Sequence, residues 1–418
     1  MLSIQDNELL TRVSAGTPMG ELMRRYWHPI GAVAELDASF FGTKEVRILG
    51  EDLVLFRDTS GQLGLIERWC SHRRVNLAYG IVEEDGLRCQ YHGWKFDHEG
   101  RCVDQPFETT VRPDGRFRDK CGLKAYPVEV LSGIIFAYLG PSPVPVLPRW
   151  EPQVWGNAVR DICITELPCN WLQCQENSLD PVHTEWLHGY FGGTVLQKLG
   201  QADRRTRGIP LRHQRIGFDV FEHGIIKRRV ASGSTEEEDA WKIGHPIMFP
   251  NILLVGNQYS CTMQWRVPID DEKTFHVSLY TWRSAPGLEA PAQESIPARL
   301  VPIFDEEGKF IVDSTFNQDY MAWASQGPTP IAQRNLEKLG ESDKGIILFR
   351  QLLKKQIQAM QAGEPVMNVS YEDRPSIELP LERVTINLDR PPAKYIPGEY
   401  GVSRDAEKIE ETMATWRR

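Results

Sequence analysis

A chain of 418 residues exceeds the size at which one hydrophobic core usually stops growing, so two domains are the starting expectation. Its 41% hydrophobic and 25% charged composition is that of an ordinary globular protein, and a formal net charge of -9 with a pI near 5.7 leaves no overall footprint for nucleic acid. The longest apolar stretches, such as 133–139, fall short of the roughly 20 residues that a membrane-crossing helix needs; residues 1–10, with Asp6 and Glu8, lack the basic start and apolar core of a secretory signal, so the expected location is the cytoplasm.

The chain opens on short helical pieces over 6–27: Glu8, Leu9, Leu10 and Val13 in the first, and a second that starts at Thr17-Pro18 and runs through Leu22, Met23 and Trp27. From about residue 40 the texture changes to short β-type runs such as 46–49 and 53–56, and this continues to 134–139. The Pro-rich stretch 141–152 reads as a linker, and the first domain boundary is set there. A helical segment is expected around 169–188, followed by strand-like runs at 219–230, 245–255, 261–267 and 274–282. The clearest helix covers 343–362, with Asp343 as N-cap, Ile346, Leu353, Ile357 and Met360 on one face, and Gly363 and Pro365 as its stop. A last helix is expected from Ser403, with Ala406, Ile409, Met413 and Trp416 as its stripe. Strands with helices set around them make the fold class α+β.

Eight cysteines in a chain this long are too sparse for a disulfide scaffold. Two of them stand in a pattern: Cys70-Ser71-His72, sixteen residues, then Cys89-Gln90-Tyr91-His92 followed by Gly93-Trp94. Each half supplies one thiolate and one imidazole from a tight loop. Two such loops side by side offer the donor set of a Rieske [2Fe-2S] centre, in which the cysteines hold one iron and the histidines the other. A structural zinc site could use the same residue types, but the flanking Gly-Trp and the β-rich surroundings favour the cluster.

A second constellation lies at Glu176-Asn177-Ser178-Leu179-Asp180-Pro181-Val182-His183-Thr184-Glu185-Trp186-Leu187-His188. Oxygen-activating non-haem iron enzymes use two histidines and one carboxylate on one face of the metal, leaving the other positions open. His183 and His188 are five apart, about 140° around a regular α-helix, which would not converge them. Pro181 marks a start or kink and Gly189 offers a helix stop, so a distorted helical end is expected to aim both imidazoles inward. Asp180 and His183 are neighbours at i and i+3.

With both motifs present, the sequence resembles the Rieske oxygenase family, whose run of Glu-Asn, Asp, two residues, His, four residues, His is matched in full. Leu9-Leu10-Thr11-Arg12, Thr17-Pro18-Met19-Gly20 and Arg24-Arg25-Tyr26-Trp27 also look like the start of the phthalate dioxygenase and dehydrodivanillate O-demethylase group. Ser71 stands where many members have proline; Val75 and Tyr91 stand where the respiratory Rieske proteins carry an extra disulfide pair. The resemblance implies a helical segment over 1–40 packing on the catalytic domain, a Rieske domain over 41–150, and a catalytic domain over 151–418 with an antiparallel sheet and a mononuclear Fe(II) site. It places the third iron ligand on an Asp near the start of a late helix: Asp319 matches best, and Asp343 is the runner-up. It also gives Asp180 a bridging role, holding His183 and meeting the cluster ligand His92 of a neighbouring subunit.

What the resemblance implies for function is an oxygenase component that uses O2 on an aromatic carboxylic acid, as a homotrimer or a pair of trimers. The segment Asp104-Gln105-Pro106-Phe107-Glu108 leans the reading towards O-demethylation or hydroxylation of a lignin-type methoxy-aromatic acid; a phthalate-type dioxygenation to a cis-dihydrodiol is the alternative. No G-x-G-x-x-G fingerprint and no second cluster motif occur, so NADH or NADPH is expected to act through a separate reductase, with or without a ferredoxin. A reading of another class is an electron-transfer protein with an empty second site. Arg204, Arg205 and Arg207, and likewise Lys227, Arg228 and Arg229, are candidates to hold a substrate carboxylate or else a solvated face. Cys163, Cys169, Cys174 and Cys261 read as small buried hydrophobes, and His98, His213, His223, His245 and His276 as structural.

Overall fold

The protein is described from a computed structural model that covers residues 2–202, 212–382 and 403–417. Ser3 and Thr17 cap the helices Ile4–Thr11 and Pro18–Met23, their hydroxyls accepting from the backbone N–H groups of Asp6 and Gly20. The second helix ends at Met23. Trp27, expected to continue it, instead opens the strand Trp27–Ala32, in which every residue is buried. That strand pairs with Ile134–Tyr138, and the ladder slips between Pro29 and Gly31, where proline lacks an N–H to donate.

Between these two paired strands the chain makes two small antiparallel sheets. One is formed by Thr43–Ile48, Glu51–Arg57 and Leu63–Glu67, the other by Ile81–Glu83, Gly86–Arg88, Lys95–Phe96 and Cys102–Asp104. They enclose a core of their own, in which Val54, Phe56, Leu77, Leu87 and Phe96 surround Cys70 and Cys89. The main core is continuous from the N-terminal helices through Ile134–Tyr138 to the large sheet.

That sheet has eight strands in the order His213–Phe221, Gly224–Ala231, His245–Met248, Ile252–Gly256, Ser260–Pro268, Thr274–Arg283, Ala158–Leu167 and Ala298–Leu300, antiparallel except for the last pair. Residues opposite one another in an antiparallel ladder project to the same face. Lys227 with His245, Gln264 with Ser278, and Arg266 with His276 therefore give one face an unusually polar floor. Cys163, opposite Ser278, packs on this face with Cys174, Phe316, Tyr320 and Trp323. The helices Trp171–Asn177 and Thr315–Ala324 thus cover it.

Ala158–Leu167 was not anticipated, because Arg160, Asp161, Thr165 and Glu166 break any apolar run. Its fully buried Asp161 is compensated by Arg299, 2.6 Å away on the neighbouring parallel strand. The helix expected over 169–188 is two pieces. Asn170 caps Trp171–Asn177, a turn carries Asp180 and Pro181, and Thr184–Phe191 then winds as a π-helix that passes into Gly192–Lys198. Gly189 lies inside that helical stretch and does not stop it. The long helix runs over Lys344–Gln361, with Gly363 beyond it at φ 72°, and the last over Ala406–Ala414.

The segment between the two sites is braced by a buried ion triad. Glu176 accepts from Arg334 at 2.9 Å and from Arg350 at 2.6 Å, and Arg350 also reaches Glu337 at 2.8 Å. Burial alone would raise the Glu176 carboxyl, but the two guanidiniums hold it below its ordinary range. Removing the carboxylate leaves Arg334 buried without an ion-pair partner and Arg350 with Glu337 alone. Glu176→Ala is expected to destabilise the fold by about 3–5 kcal/mol, read as a lowered midpoint of chemical unfolding. Glu176→Ala with an unchanged midpoint would show that the triad does not brace this segment.

Candidate metal centres

The two cysteine loops are near-copies of one turn. The Arg74 N–H donates to the Cys70 carbonyl at 2.9 Å and the Cys70 N–H to the Val75 carbonyl at 3.0 Å; in the second loop, Gly93 donates to Cys89 at 3.0 Å and Cys89 to Trp94 at 2.8 Å. The fourth residue after each cysteine has a left-handed backbone, Arg74 at φ 57° and Gly93 at φ 77°. The histidines break the symmetry: His72 is second after its cysteine and His92 third after its own. The alternate slots hold Arg73 and Tyr91, whose guanidinium and ring stack at 5.4 Å.

Donor type separates by depth. Cys70 and Cys89 are buried, whereas the two imidazoles stand at the surface with ring centres 4.5 Å apart, and Trp94 stacks on His72 at 4.5 Å. The two thiols act on each other, the Cys89 thiol being lowered to about 6 and that of Cys70 raised. Burial and the charge of His92 lower the His72 imidazole, keeping a lone pair available. Soft donors inside and imidazoles outside fit a [2Fe-2S] group with unlike irons. The Ser71 hydroxyl donates to the Cys121 carbonyl at 2.7 Å, tying the first loop down where a proline would have stiffened it.

The second centre depends on the π-helical turn. Its i to i+5 winding brings His183 and His188, five residues apart, to one side. Their Nε2 atoms lie 3.7 and 3.3 Å from one oxygen of Asp319, which projects from the second turn of the helix Thr315–Ala324. One ligand atom from each of the three lies within 4.8 Å of the others. Burial would raise the Asp319 carboxyl, but the hydrogen bond and charge of His188, with His183 and Arg266, hold it below its ordinary value.

A metal needs the imidazole lone pair on Nε2, which requires the proton on Nδ1. Gln318 supplies that condition for His188: its Oε1 lies 3.0 Å from Nδ1, while its Nε2 donates to the Val312 carbonyl at 3.1 Å and so fixes the amide's orientation. His183 Nδ1 is buried without a hydrogen-bond partner, with Asp180 Oδ2 3.7 Å away. The other oxygen of Asp180 accepts from the backbone of Val182 at 2.8 Å and His183 at 3.3 Å, the capping role a residue before proline can take. These orphaned and oriented nitrogens fit a two-histidine, one-carboxylate iron site.

Asp343 is elsewhere, at the start of the long helix, with its carboxylate accepting from the Gly340 N–H at 2.7 Å. Arg204, Arg205 and Arg207 lie outside the described residues. Arg228 is engaged outward by Asp219 and by the carbonyls of Trp241 and Lys242, whereas Lys227 points inward and is buried. His213, His223, His245 and His276 each meet a side chain, respectively Glu185, Asn368, Glu382 and Tyr320, and His98 stacks on Phe56. Cys163, Cys169, Cys174 and Cys261 are buried, with the sulfurs of Cys169 and Cys174 3.6 Å apart. Sequence reasoning passed over Gln318, although its place immediately before Asp319 was a usable signal.

Comparison with known proteins decides the family. The Rieske [2Fe-2S] domain family matches residues 26–127, and the family described as LigXa C-terminal domain like matches 305–386. The chain is 43% identical over 389 residues to the 5,5'-dehydrodivanillate O-demethylase oxygenase subunit of a Sphingobium species, covering 93% of this chain and 88% of that protein. It is 30% identical to the phthalate 4,5-dioxygenase oxygenase subunit of Pseudomonas putida, covering 90% and 91%. The chain belongs to the Rieske oxygenases.

Among solved structures, Pseudomonas putida NdmA with caffeine bound to a QL mutant is similar at a TM-score of 0.59 and 20% identity, over 83% of this chain and 94% of that one. The terminal oxygenase of carbazole 1,9a-dioxygenase from Novosphingobium sp. KA1 gives 0.58 at 19% identity, over 85% and 99%; at these identities the likeness speaks for the fold alone. As a Rieske oxygenase, the chain is the oxygenase subunit of an oxidoreductase that incorporates O2, with a [2Fe-2S] cluster, a mononuclear iron and electrons from a reductase. No helix among the described residues is long and apolar enough to cross a membrane.

Gly93 is the position in the cluster loops where a side chain costs most: its φ is 77° and an added Cβ would lie 3.1 Å from Pro106. Gly93→Ala is expected to cost about 1–3 kcal/mol, seen as faster bleaching of the cluster's visible absorption on heating. Unchanged bleaching would mean that the loop relaxes without strain.

Proposed function

We propose that Cys70, His72, Cys89 and His92 hold the cluster, that His183, His188 and Asp319 hold the iron, and that the enzyme oxidises an aromatic carboxylic acid, with O-demethylation of a methoxy-aromatic acid as the favoured outcome. The observation that carries the substrate reading is the 43% identity across nearly the whole chain to a dehydrodivanillate O-demethylase subunit, against 30% to a phthalate dioxygenase subunit. Ring dioxygenation to a cis-dihydrodiol is the second reading, favoured by that latter relative. We also read the chain as an N-terminal segment 1–40, in which two helices precede the strand Trp27–Ala32, a Rieske domain 41–150 and a catalytic domain 151–418.

When bound, the iron supplies oxygen activation and the cluster supplies single electrons. The chain's own residues prepare both. Gln318 keeps the proton of His188 on Nδ1 and so leaves Nε2 to the metal. Burial lowers the His183 imidazole, opposed by the charges of Asp319 and Asp180. A separate reductase, with or without a ferredoxin, draws on NADH or NADPH.

Asp180 is given the bridging role. One of its oxygens caps the turn and the other faces His183 Nδ1, so it is placed to hold that imidazole while its partly exposed edge meets His92 of a neighbouring subunit in a homotrimer or pair of trimers. Asp180→Asn is expected to keep both metals and the assembly while slowing cluster-to-iron electron transfer by orders of magnitude. Stopped-flow oxidation of the reduced cluster by O2 and substrate at the wild-type rate would sink the bridge.

The site assignment is tested by metal content. Wild type should carry three irons per chain, where an electron carrier with an empty second site would carry two. His183→Ala, His188→Ala and Asp319→Ala are each expected to lose one iron and all turnover with the Rieske spectrum intact, and Cys70→Ala or Cys89→Ala to abolish that spectrum. Retention of the third iron by Asp319→Ala would overturn the carboxylate assignment. Oxygen uptake and released formaldehyde, measured over methoxylated and plain aromatic acids with a reductase, separate demethylation from dihydroxylation.

A further inference from the structure

Lys227 is a cation with no anion. It lies on the strand Gly224–Ala231, on the sheet face covered by the helices that carry the iron-site residues, and is 8% exposed. Its ammonium donates to the Ser178 carbonyl at 2.8 Å, two residues before Asp180, and among the described residues no carboxylate lies within ion-pair distance of it. One carbonyl satisfies one of three N–H donors. Further groups on the same covered face have unmet hydrogen-bonding capacity. On the preceding helix end, Ser178 Oγ and both amide atoms of Gln175 are buried without partners, and on the sheet floor so are Ser278 Oγ and Arg266 Nε. Gln175 and Ser178, three residues apart, share a side of that helical end.

A buried ammonium is costly unless an opposite charge meets it. The charged groups near enough to act on Lys227 do not cancel: Arg229 and Arg266 oppose it, Asp180 and Asp319 favour it, and burial outweighs them all, lowering the amine to about 7. Both carboxylates have other commitments, Asp319 to the two histidines and Asp180 to its turn and His183. Arg266 is the neighbouring alternative. It is held by Gln264 Oε1 at 2.8 Å and lies over the Trp323 ring at 5.6 Å, almost wholly enclosed, whereas Lys227 keeps two free donors and some open surface.

We infer that Lys227 is a specificity-determining residue that receives the carboxylate of the aromatic substrate beside the iron site, with Ser178 and Gln175 supplying neutral donors next to it. This rests on the oxygenase reading above and adds the anchor that makes the substrate an anion. Binding completes the missing ion pair, and the ring is held by one end on the floor of the sheet.

The test uses the full metal-loaded enzyme and two probes, 4-hydroxy-3-methoxybenzoate and its uncharged methyl ester, with binding followed by titration calorimetry. Wild type is expected to bind the acid at least tenfold more tightly than the ester. Lys227→Met and Lys227→Gln should weaken the acid by about ten- to a hundredfold and leave the ester unchanged, erasing the preference, while Lys227→Arg keeps it. Each variant is first shown to carry wild-type iron and an unaltered Rieske spectrum. Should the uncharged variants fail that check, Lys227→Arg together with the wild-type acid-to-ester ratio decides: an arginine variant that loses the preference, or a wild type without one, overturns the proposal. A preference that survives in Lys227→Met also overturns it and moves the anchor elsewhere. In each of these failures three irons per chain would still uphold the oxygenase reading; two irons and no oxygen uptake with any acid would instead bring down that reading.

Discussion

Two side chains five residues apart cannot be aimed at one atom by an α-helix, and the catalytic half of this protein is organised around that constraint. The π-helical winding of Thr184–Phe191 removes it by letting the backbone bond from i to i+5. Such a turn packs its hydrogen bonds less well than an α-turn, so it persists where its surroundings fix it. Pro181 prevents an α-helix from running through from Trp171–Asn177, Asp180 caps the turn that follows, and the Glu176 triad locks the residues before it to the loop at Arg334 and the helix at Arg350. The iron-site geometry is thus held from behind, by groups that do not touch the metal.

The cluster loops follow a different logic. There the geometry is local: each loop closes on itself through two backbone bonds, and the partner loop is brought alongside by the small sheets. On the proposed ligand assignment, buried thiols and surface imidazoles would give the cluster one insulated end and one end within reach of another protein.

Much of this was legible in the sequence because the chemistry is carried by short runs. The cysteine-histidine loops were found by spacing, while the resemblance to a family pointed to His183, His188 and Asp180 and preferred Asp319 to Asp343; the geometry sets Asp319 beside both histidines and Asp343 against Gly340. What could not be read was long-range. Ala158–Leu167 hid because the buried charge in it, Asp161, is answered by Arg299 far along the chain. Trp27 looked helical because its apolar neighbours suit either period, and only pairing with Ile134–Tyr138 selects the strand. The triad escaped for the same reason: nothing near Glu176 in sequence announces Arg334 or Arg350.

The brace reaches further than the catalytic helices. Arg334 also donates to the Asn7 side chain at 3.1 Å, and Asn170, which caps the helix of the first iron-site motif, donates to the carbonyl of Thr11. The site is thus knotted from the first turn of the chain, the middle, and residues beyond 330. The core around the two cysteine loops needs only a continuous stretch that closes by Ala125. On the ribosome, the pocket for the sulfur cluster has all its walls while most of the chain is still unmade, whereas the mononuclear site must wait for the helix at 344–361 to emerge and fold back. The two sites therefore become complete at different points of synthesis, the cysteine loops from one continuous stretch and the group at Asp319 only after distant parts of the chain have met.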